Sequence, residues 1–336
     1  MRRVLVLVFG VLLVAAACQT TDAETGSPPS TNDAFALPSG FDLQGHRGAR
    51  GLKPENTLPS FETALDLGVD TLELDLHYSS DDEVVVWHDA QVQPAKCSVA
   101  EDAPVDVPDP DDPSTPSSAL EIRSLTIDQL AWYRCDRNPE ETRFPRQDAS
   151  PTPIAGAAYG IIPLIELIAF VEDYASDPGK TERQRANASG VAFNVETKRD
   201  VGDPETIGDG FNGVDVGPFE MRLLEIIETT GIGDRTTIQS FDSRSLVAIR
   251  AVDPDIPLAF LTVGDLVDLS AYARAGGTIW SPASAQVTPN RVIEAHDAGL
   301  AVIPWTVNTI EEANRVITLG VDGLITDVPD LFVIGS

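Results

Sequence analysis

The chain has 336 residues, 42% of them hydrophobic and 23% charged, with 53 acidic against 23 basic side chains and a net charge of −30. That length can bury a full core, as one large domain or two ordinary ones. The charge excludes nucleic acid as a partner, since phosphates need a basic footprint, and it makes each basic residue worth noticing.

Arg2 and Arg3 precede an apolar run over residues 4–17 that is too short to span a bilayer but suits a secretory signal. The run ends in Ala-Ala-Ala-Cys at 15–18, and small residues before a lone cysteine resemble a bacterial lipoprotein signal, with Cys18 lipidated as the mature N-terminus. Ordinary secretion with cleavage nearby is the alternative. The expected division is a signal over 1–18, a polar linker over 19–40 and a folded domain over 41–336. The protein would then be exported, held on the outer side of the cell membrane through Cys18 or secreted.

From Phe41 onward short β-type runs alternate with amphipathic helical ones. Residues 41–46 form a strand, and 57–68 a helix with Phe61, Ala64 and Leu65 on one face. Residues 70–79 alternate strictly, with Leu72, Leu74 and Leu76 facing one way and Glu73, Asp75 and His77 the other. Residues 83–89 form a strand hairpinned to it. The rhythm then breaks over 90–159, rich in Pro, Asp and Ser and holding Cys97 and Cys135. This segment reads as an insertion between the second and third βα units, stapled by one disulfide as befits an exported protein. Its acidic, Pro-rich part reads as a solvated loop, with calcium binding the weaker alternative.

Residues 162–175 supply the second unit's helix, and 176–190 a plain polar connection. Strands follow at 191–198, 235–241, 257–263, 278–282, 301–308 and 322–327, separated by helices at 219–231, 243–253, 266–277, 288–299 and 309–320. About eight such units predict an α/β fold of the (β/α)8 TIM-barrel type. An open dinucleotide-binding sheet lacks its G-x-G-x-x-G fingerprint here.

The unusual polar residues fall at C-terminal strand ends, the face where such barrels build their sites. His46 and Arg47 end the first strand, Glu73 and Asp75 lie on the second, and His88 and Asp89 end the hairpin. Glu196 and Lys198 end the third, Gln239 the fourth, Trp305 the seventh and Asp327 the eighth. Glu73, Asp75 and Glu196 pointing into one pocket would repel one another, and a hard cation, Mg2+ or Ca2+, relieves that. The alternative is that Glu73 and Asp75 are the wet face of a half-exposed strand. His46 and His88 suit a general acid and base, because no third histidine or cysteine is placed to complete a zinc site. His77 is expected at the rim, and His296 as a cation at a helix end.

Residues 45–89 carry the elements HRG, PENT, E-x-D and HD in order, and FNVETK, IQSFD, IPWTVN and GLITDVP follow further on. This pattern resembles the glycerophosphodiester phosphodiesterase family from about Leu43 to Pro329. The resemblance implies metal-dependent hydrolysis of a small-molecule glycerophosphodiester to sn-glycerol 3-phosphate and an alcohol. By matching motif, His46 and His88 would be the acid–base pair and Glu73, Asp75 and Glu196 the metal ligands. Arg47 and Lys198 would hold the phosphate, with Gln239 and Trp305 also at the substrate, though a core role for Trp305 stays open. Glu55 of PENT would lie at the site edge as a ligand, a support for one, or a substrate contact. Arg50 and Lys53 read as solvated surface. The attacking group would be a neighbouring glycerol hydroxyl, with water as the alternative. Two other functions stay open: a phospholipase D-type enzyme acting on lysolipids or sphingolipids, and a non-enzymatic binder of phosphate ligands.

Overall fold

The computed structural model describes residues 37–264 and 267–332. The expected signal, the lipidated Cys18 and the linker up to residue 36 lie outside the described residues. Eight strands carry the fold: β1 (Asp42–Gly45), β2 (Thr71–Tyr78), β3 (Ala192–Thr197), β4 (Thr236–Ser240), β5 (Leu258–Thr262), β6 (Ile279–Pro282), β7 (Ala301–Val302) and β8 (Gly323–Thr326). They pair in parallel in the order β7-β6-β5-β4-β3-β2-β1-β8. The two outer strands meet along a backbone seam. Asp322 donates to the Val302 carbonyl, Ile325 to that of Pro304, and Val307 to that of Ile325, each at 2.9 Å. Pro304 has no N–H to return, so β7 is shorter than the 301–308 expected while the ring of eight still joins. The chain is a (β/α)8 barrel.

Helices Leu58–Leu67, Leu164–Ser176, Pro218–Thr230, Ser243–Val252, Leu269–Arg274, Pro289–Asp297 and Ile310–Thr318 follow the first seven strands. The alternation in β2 decides which side chains meet them. Leu72, Leu74 and Leu76 are fully buried in one apolar cluster with Phe61, Leu65, Val171 and Phe193. Each fully buried leucine contributes about 2 kcal/mol. The intervening Glu73, Asp75 and His77 are thereby turned into the barrel.

Two expectations need correcting. Residues 176–190 are not a plain connection, because Glu182–Gly190 is a helix. Thr181 and Gln184 form its capping box, Gln184 N–H donating to Thr181 Oγ1 at 3.2 Å and Thr181 N–H to Gln184 Oε1 at 3.0 Å. Only Ala188 of the helix is buried, so it lacks the apolar stripe by which a helix is recognised. Lys180, just before it, is buried and donates to Glu62 Oε1 at 2.6 Å and Asp66 Oδ1 at 2.7 Å.

Arg50 and Lys53 are not solvated surface either; they are 8% and 9% exposed. Arg50 donates to Glu140 at 2.6 Å, and Lys53 to Asp148 Oδ1 at 2.8 Å and to Ser150. Both therefore tie the first loop of the barrel to the segment between the second and third strands.

That segment builds a core of its own. Val84–Val86 pairs antiparallel with β2 and with Ile162–Pro163. Between them Ser98–Val99 pairs with Tyr133–Arg134, and Cys97 is bonded to Cys135. Val85, Trp87, Val92, Ile122, Leu125 and Tyr133 pack with the cysteines in a cluster separate from the barrel core. The acidic stretch over 101–119 is mostly exposed, with Val107 and Pro110 tucked in.

Candidate active site

The first strand ends in a turn that only particular residues tolerate. Arg47 has φ 52° and Gly48 φ 84°, both left-handed. A Cβ on Gly48 would lie 2.6 Å from the backbone of Ser60, so glycine is required there. Arg47 has no such freedom, and its conformation costs about 1–2 kcal/mol. What holds it is Glu73: the Arg47 N–H donates to Glu73 Oε2 at 2.9 Å, while its carbonyl accepts from Ser60 Oγ at 2.9 Å. Strain of this kind is kept where a side chain must point one way.

Glu73 and Asp75 from β2 and Glu196 from β3 bring carboxylate oxygens within 4.8 Å of one another, all buried. The register explains the meeting, since Asp75 sits opposite Glu196 on adjacent parallel strands. Burial and the neighbouring Asp75 and Glu196 push Glu73 well above the ordinary carboxylate range. Burial also raises Glu196, against the pull of Lys198. Asp75 goes the other way: burial opposes its charge, but Arg47, His88 and Lys198 together hold it ionised. Arg47 Nε is 3.0 Å from Asp75 Oδ2, a close ionic contact, though its angle makes no hydrogen bond. Lys198 donates to Glu196 Oε1 at 2.8 Å and lies 3.6 Å from Asp75 Oδ1.

The donor set fits a hard divalent cation. Three buried carboxylates share two fixed cations, and Asp75 Oδ1 has no hydrogen-bond donor among the described residues. An orphaned oxygen on a fully buried carboxylate costs a few kcal/mol, and an oxygen-seeking ion removes that cost. Glu73 and Asp75 are aimed by their neighbours: Gln239 donates to Glu73 Oε1 at 2.6 Å and Asn56 to Asp75 Oδ2 at 2.8 Å.

Each pocket histidine is backed by a carboxylate. His46 Nδ1 lies 2.5 Å from Asp327 Oδ1, and its Nε2 is 3.9 Å from Glu73 Oε2. Burial holds His46 below its usual value despite Asp327, which favours the neutral imidazole. Burial pushes Asp327 up, but His46, Arg50 and Asn308 bring it down to about 2. His88 Nδ1 lies 2.8 Å from Asp89 Oδ1, with 29% of its side chain exposed. A cleft of 590 Å³ opens here, lined by His77, His88, Glu196, Lys198, Asp203 and Phe241 among others.

Two residues, Gln239 and His77, sit differently from expectation. Gln239 does not face the cleft, because it is buried with Nε2 on Glu73 and Oε1 accepting from Asn194 at 3.1 Å. His77 is not at the rim but 1% exposed, with Nε2 3.0 Å from the His88 carbonyl, and burial lowers it to about 4. Trp305 is half-buried, its Nε1 donating to Ser281 O at 3.0 Å and its ring edge-on to Phe241 at 5.5 Å. Glu55 lies apart from the three carboxylates as a hub for cations, 3.0 Å from Arg47, 2.5 Å from Arg50 and 2.7 Å from Lys96. Burial opposes its charge, but those cations hold it well below the ordinary range. Sequence reasoning assigned no role to Asp89, Asp327, Asn56, Asn308 or Phe241. The first two were legible in the HD pair and in the position of Asp327 at a strand end.

Comparison with known proteins places the fold and the family. A Bacillus altitudinis glycerophosphodiester phosphodiesterase is 27% identical over 288 residues, covering 85% of this chain and 94% of that one. A solved Silicibacter pomeroyi structure that carries the family's name matches with TM-score 0.69 and 27% identity over 89% of this chain and 93% of that one. An Oleispira antarctica phosphodiesterase, solved with the product sn-glycerol-3-phosphate, shares the fold at TM-score 0.61 and 18% identity, over 88% and 95% of the two chains. The sequence profile of the Glycerophosphoryl diester phosphodiesterase family matches residues 46–331, nearly the whole barrel, and this chain belongs to that family.

Proposed function

We propose that the chain hydrolyses glycerophosphodiesters to sn-glycerol 3-phosphate and an alcohol, with Glu73, Asp75 and Glu196 holding a Mg2+ or Ca2+ ion. The observation that carries this reading is the buried three-carboxylate cluster, one oxygen of it without a donor, with carboxylate-backed His46 3.9 Å from Glu73 and carboxylate-backed His88 lining one cleft with Glu196. When bound, the ion supplies Lewis-acid stabilisation of phosphate oxygen. Arg47 and Lys198, fixed beside the cluster, add positive charge that counts for more as negative charge grows on the phosphoryl group.

His46 is the better base, because burial keeps it neutral and Asp327 on Nδ1 leaves Nε2 to accept the proton of the attacking hydroxyl. That hydroxyl is the neighbouring one of the glycerol, or a water. As its oxygen bonds to phosphorus, the bond from phosphorus to the alcohol oxygen breaks, and His88 at the open cleft protonates the departing alcohol. Where the glycerol hydroxyl attacks, the product is a cyclic phosphate, which a water, giving its proton to His88, then opens while His46 returns its proton to the glycerol oxygen. We also place the protein outside the cytoplasm; the disulfide between Cys97 and Cys135 and the sequence over residues 1–18 support export.

The test is a panel of glycerophosphodiesters with and without chelator, assayed for glycerol 3-phosphate. Chelator-sensitive product supports the reading, and no product with either ion refutes it. Turnover of a choline lysolipid but not of glycerophosphocholine would transfer the assignment to a phospholipase D-type activity.

A further inference from the structure

Each pocket imidazole leans on a carboxylate, and the far oxygen of each carboxylate is held by a cation from the segment between the second and third strands. Asp327 Oδ2 accepts from Arg143 at 3.0 Å and from Asn308 at 2.6 Å. Asp89 Oδ2 accepts from Lys96, whose ammonium also donates to Glu55 Oε1 at 2.7 Å. We propose that Lys96 is a positioning residue that locks the His88–Asp89 pair, with Arg143 reinforcing Asn308 on the His46–Asp327 pair, so that the inserted segment completes the catalytic site. The inference rests on the phosphodiesterase reading above.

The terminal torsion of a carboxylate is soft, so a single bond to an imidazole does not fix the pair. A second bond on the other oxygen does. With both oxygens engaged, the carboxylate plane is set, Nδ1 keeps its partner, and Nε2 is aimed into the pocket. The two cations also balance the charge of carboxylates that are otherwise largely buried. Asp327 has no exposed side-chain surface and Asp89 has 16%.

Both cations are themselves held in place. Lys96 is 13% exposed, with its ammonium 5.6 Å from the Trp87 ring centre, directly before His88 in sequence. Its own N–H and that of Cys97 donate to the Gln93 carbonyl, its carbonyl accepts from Arg137 at 3.1 Å, and the next residue is bonded to Cys135. Arg143 lies 4.7 Å from the Phe144 ring centre, and the same buried ring carries Arg50 at 5.0 Å. Arg143 and Arg50 both bond Glu140. The disulfide, the small second core and the unexpectedly buried Arg50 and Lys53 thus have a common consequence. They seat two cations against the pairs that are to move protons.

The test uses the full chain with saturating divalent ion and glycerophosphocholine as substrate. Lys96→Met is expected to lower kcat by roughly 10- to 100-fold with KM within about 3-fold, and Lys96→Arg to recover most of the loss, whereas Arg143→Met, which leaves Asn308 on Asp327 Oδ2, should cost no more than about 3-fold. Ring-nitrogen NMR of the histidines gives a second readout. The spectrum of Lys96→Met should show His88 losing its fixed Nδ1–H form and that of Arg143→Met should keep His46 as in wild type, with the thermal midpoints near wild type. The inference is overturned if Lys96→Met keeps kcat within 2-fold, if its loss is entirely in KM, if the His88 ring signals stay unchanged, or if Arg143→Met costs as much as Lys96→Met. A wild-type protein without turnover would sink the phosphodiesterase reading instead, and the ring spectra would still decide whether the pairs are locked.

Discussion

Replacing Glu196 by Gln separates a metal site from a merely acidic one, because the structure predicts opposite outcomes with and without the ion. The substitution removes two like-charge interactions, with Glu73 and Asp75, at separations within 4.8 Å. At an effective dielectric near 20 each is worth about 3.5 kcal/mol, so about 7 kcal/mol of repulsion goes. It also removes the attraction of Lys198 at 2.8 Å, about 6 kcal/mol on the same basis. The raised pKa of Glu196 shrinks both quantities together, and that of Glu73 shrinks the repulsion further. The metal-free variant should therefore unfold within about 2 kcal/mol of wild type, since the Gln amide oxygen still accepts from Lys198. Metal binding should behave otherwise. An ion at 100 times its Kd stabilises wild type by about 2.7 kcal/mol, which is roughly 5 °C in Tm for a domain this large. One of three ligands is lost in Glu196→Gln, so that shift should vanish. Differential scanning fluorimetry with Mg2+, with Ca2+ and with chelator reads both quantities. A variant that keeps the full metal-induced shift would refute the assignment of Glu196 as a ligand.

His46→Gln and His88→Gln should each lower kcat by about 100-fold to 10,000-fold while keeping the metal-induced Tm shift, checked by steady-state kinetics and fluorimetry. Joint replacement of Cys97 and Cys135 by Ser opens a loop whose ends are 38 residues apart and should cost about 4 kcal/mol by chain entropy. Limited proteolysis should then cut the inserted segment first, and kcat should fall as Lys96 loses its anchor. Asp209 offers a pH test outside the three-carboxylate cluster: burial opposes its charge, but Arg199, 2.6 Å away, holds it below its ordinary value. A depressed carboxylate stabilises the fold above its unfolded pKa near 4, and that contribution is lost as pH falls through the folded value. Urea unfolding should show Arg199→Met with a deficit that is constant from pH 7 to 5 and narrows below about pH 4; a deficit independent of pH would refute this.

What could be read from sequence was whatever repeats locally. The alternation in 70–79 separated Leu72, Leu74 and Leu76 from Glu73 and Asp75, and two-residue spacing on parallel strands was enough to bring Glu196 to them. The turn at Arg47 and Gly48 was legible from its glycines, though its left-handed arginine was not. Misreadings arose where a local rule met a distant partner. Arg50 and Lys53 look like solvated loop cations until Glu140 and Asp148, about 90 positions away, bury them. Gln239 looks like a substrate contact until Glu73 and Asn194 occupy both ends of its amide. The helix at 182–190 does carry a signal, Thr181 three residues before Gln184, but its buried face is a single alanine, so no apolar stripe marks it. Lys96 and Arg143 lie in a stretch of irregular structure, where neither period nor motif distinguishes one basic residue from another. Their meaning exists only in three dimensions, at the far oxygens of Asp89 and Asp327. A barrel places its ligands by strand register, which sequence records; an inserted segment places its cations by tertiary packing, which sequence does not record residue by residue.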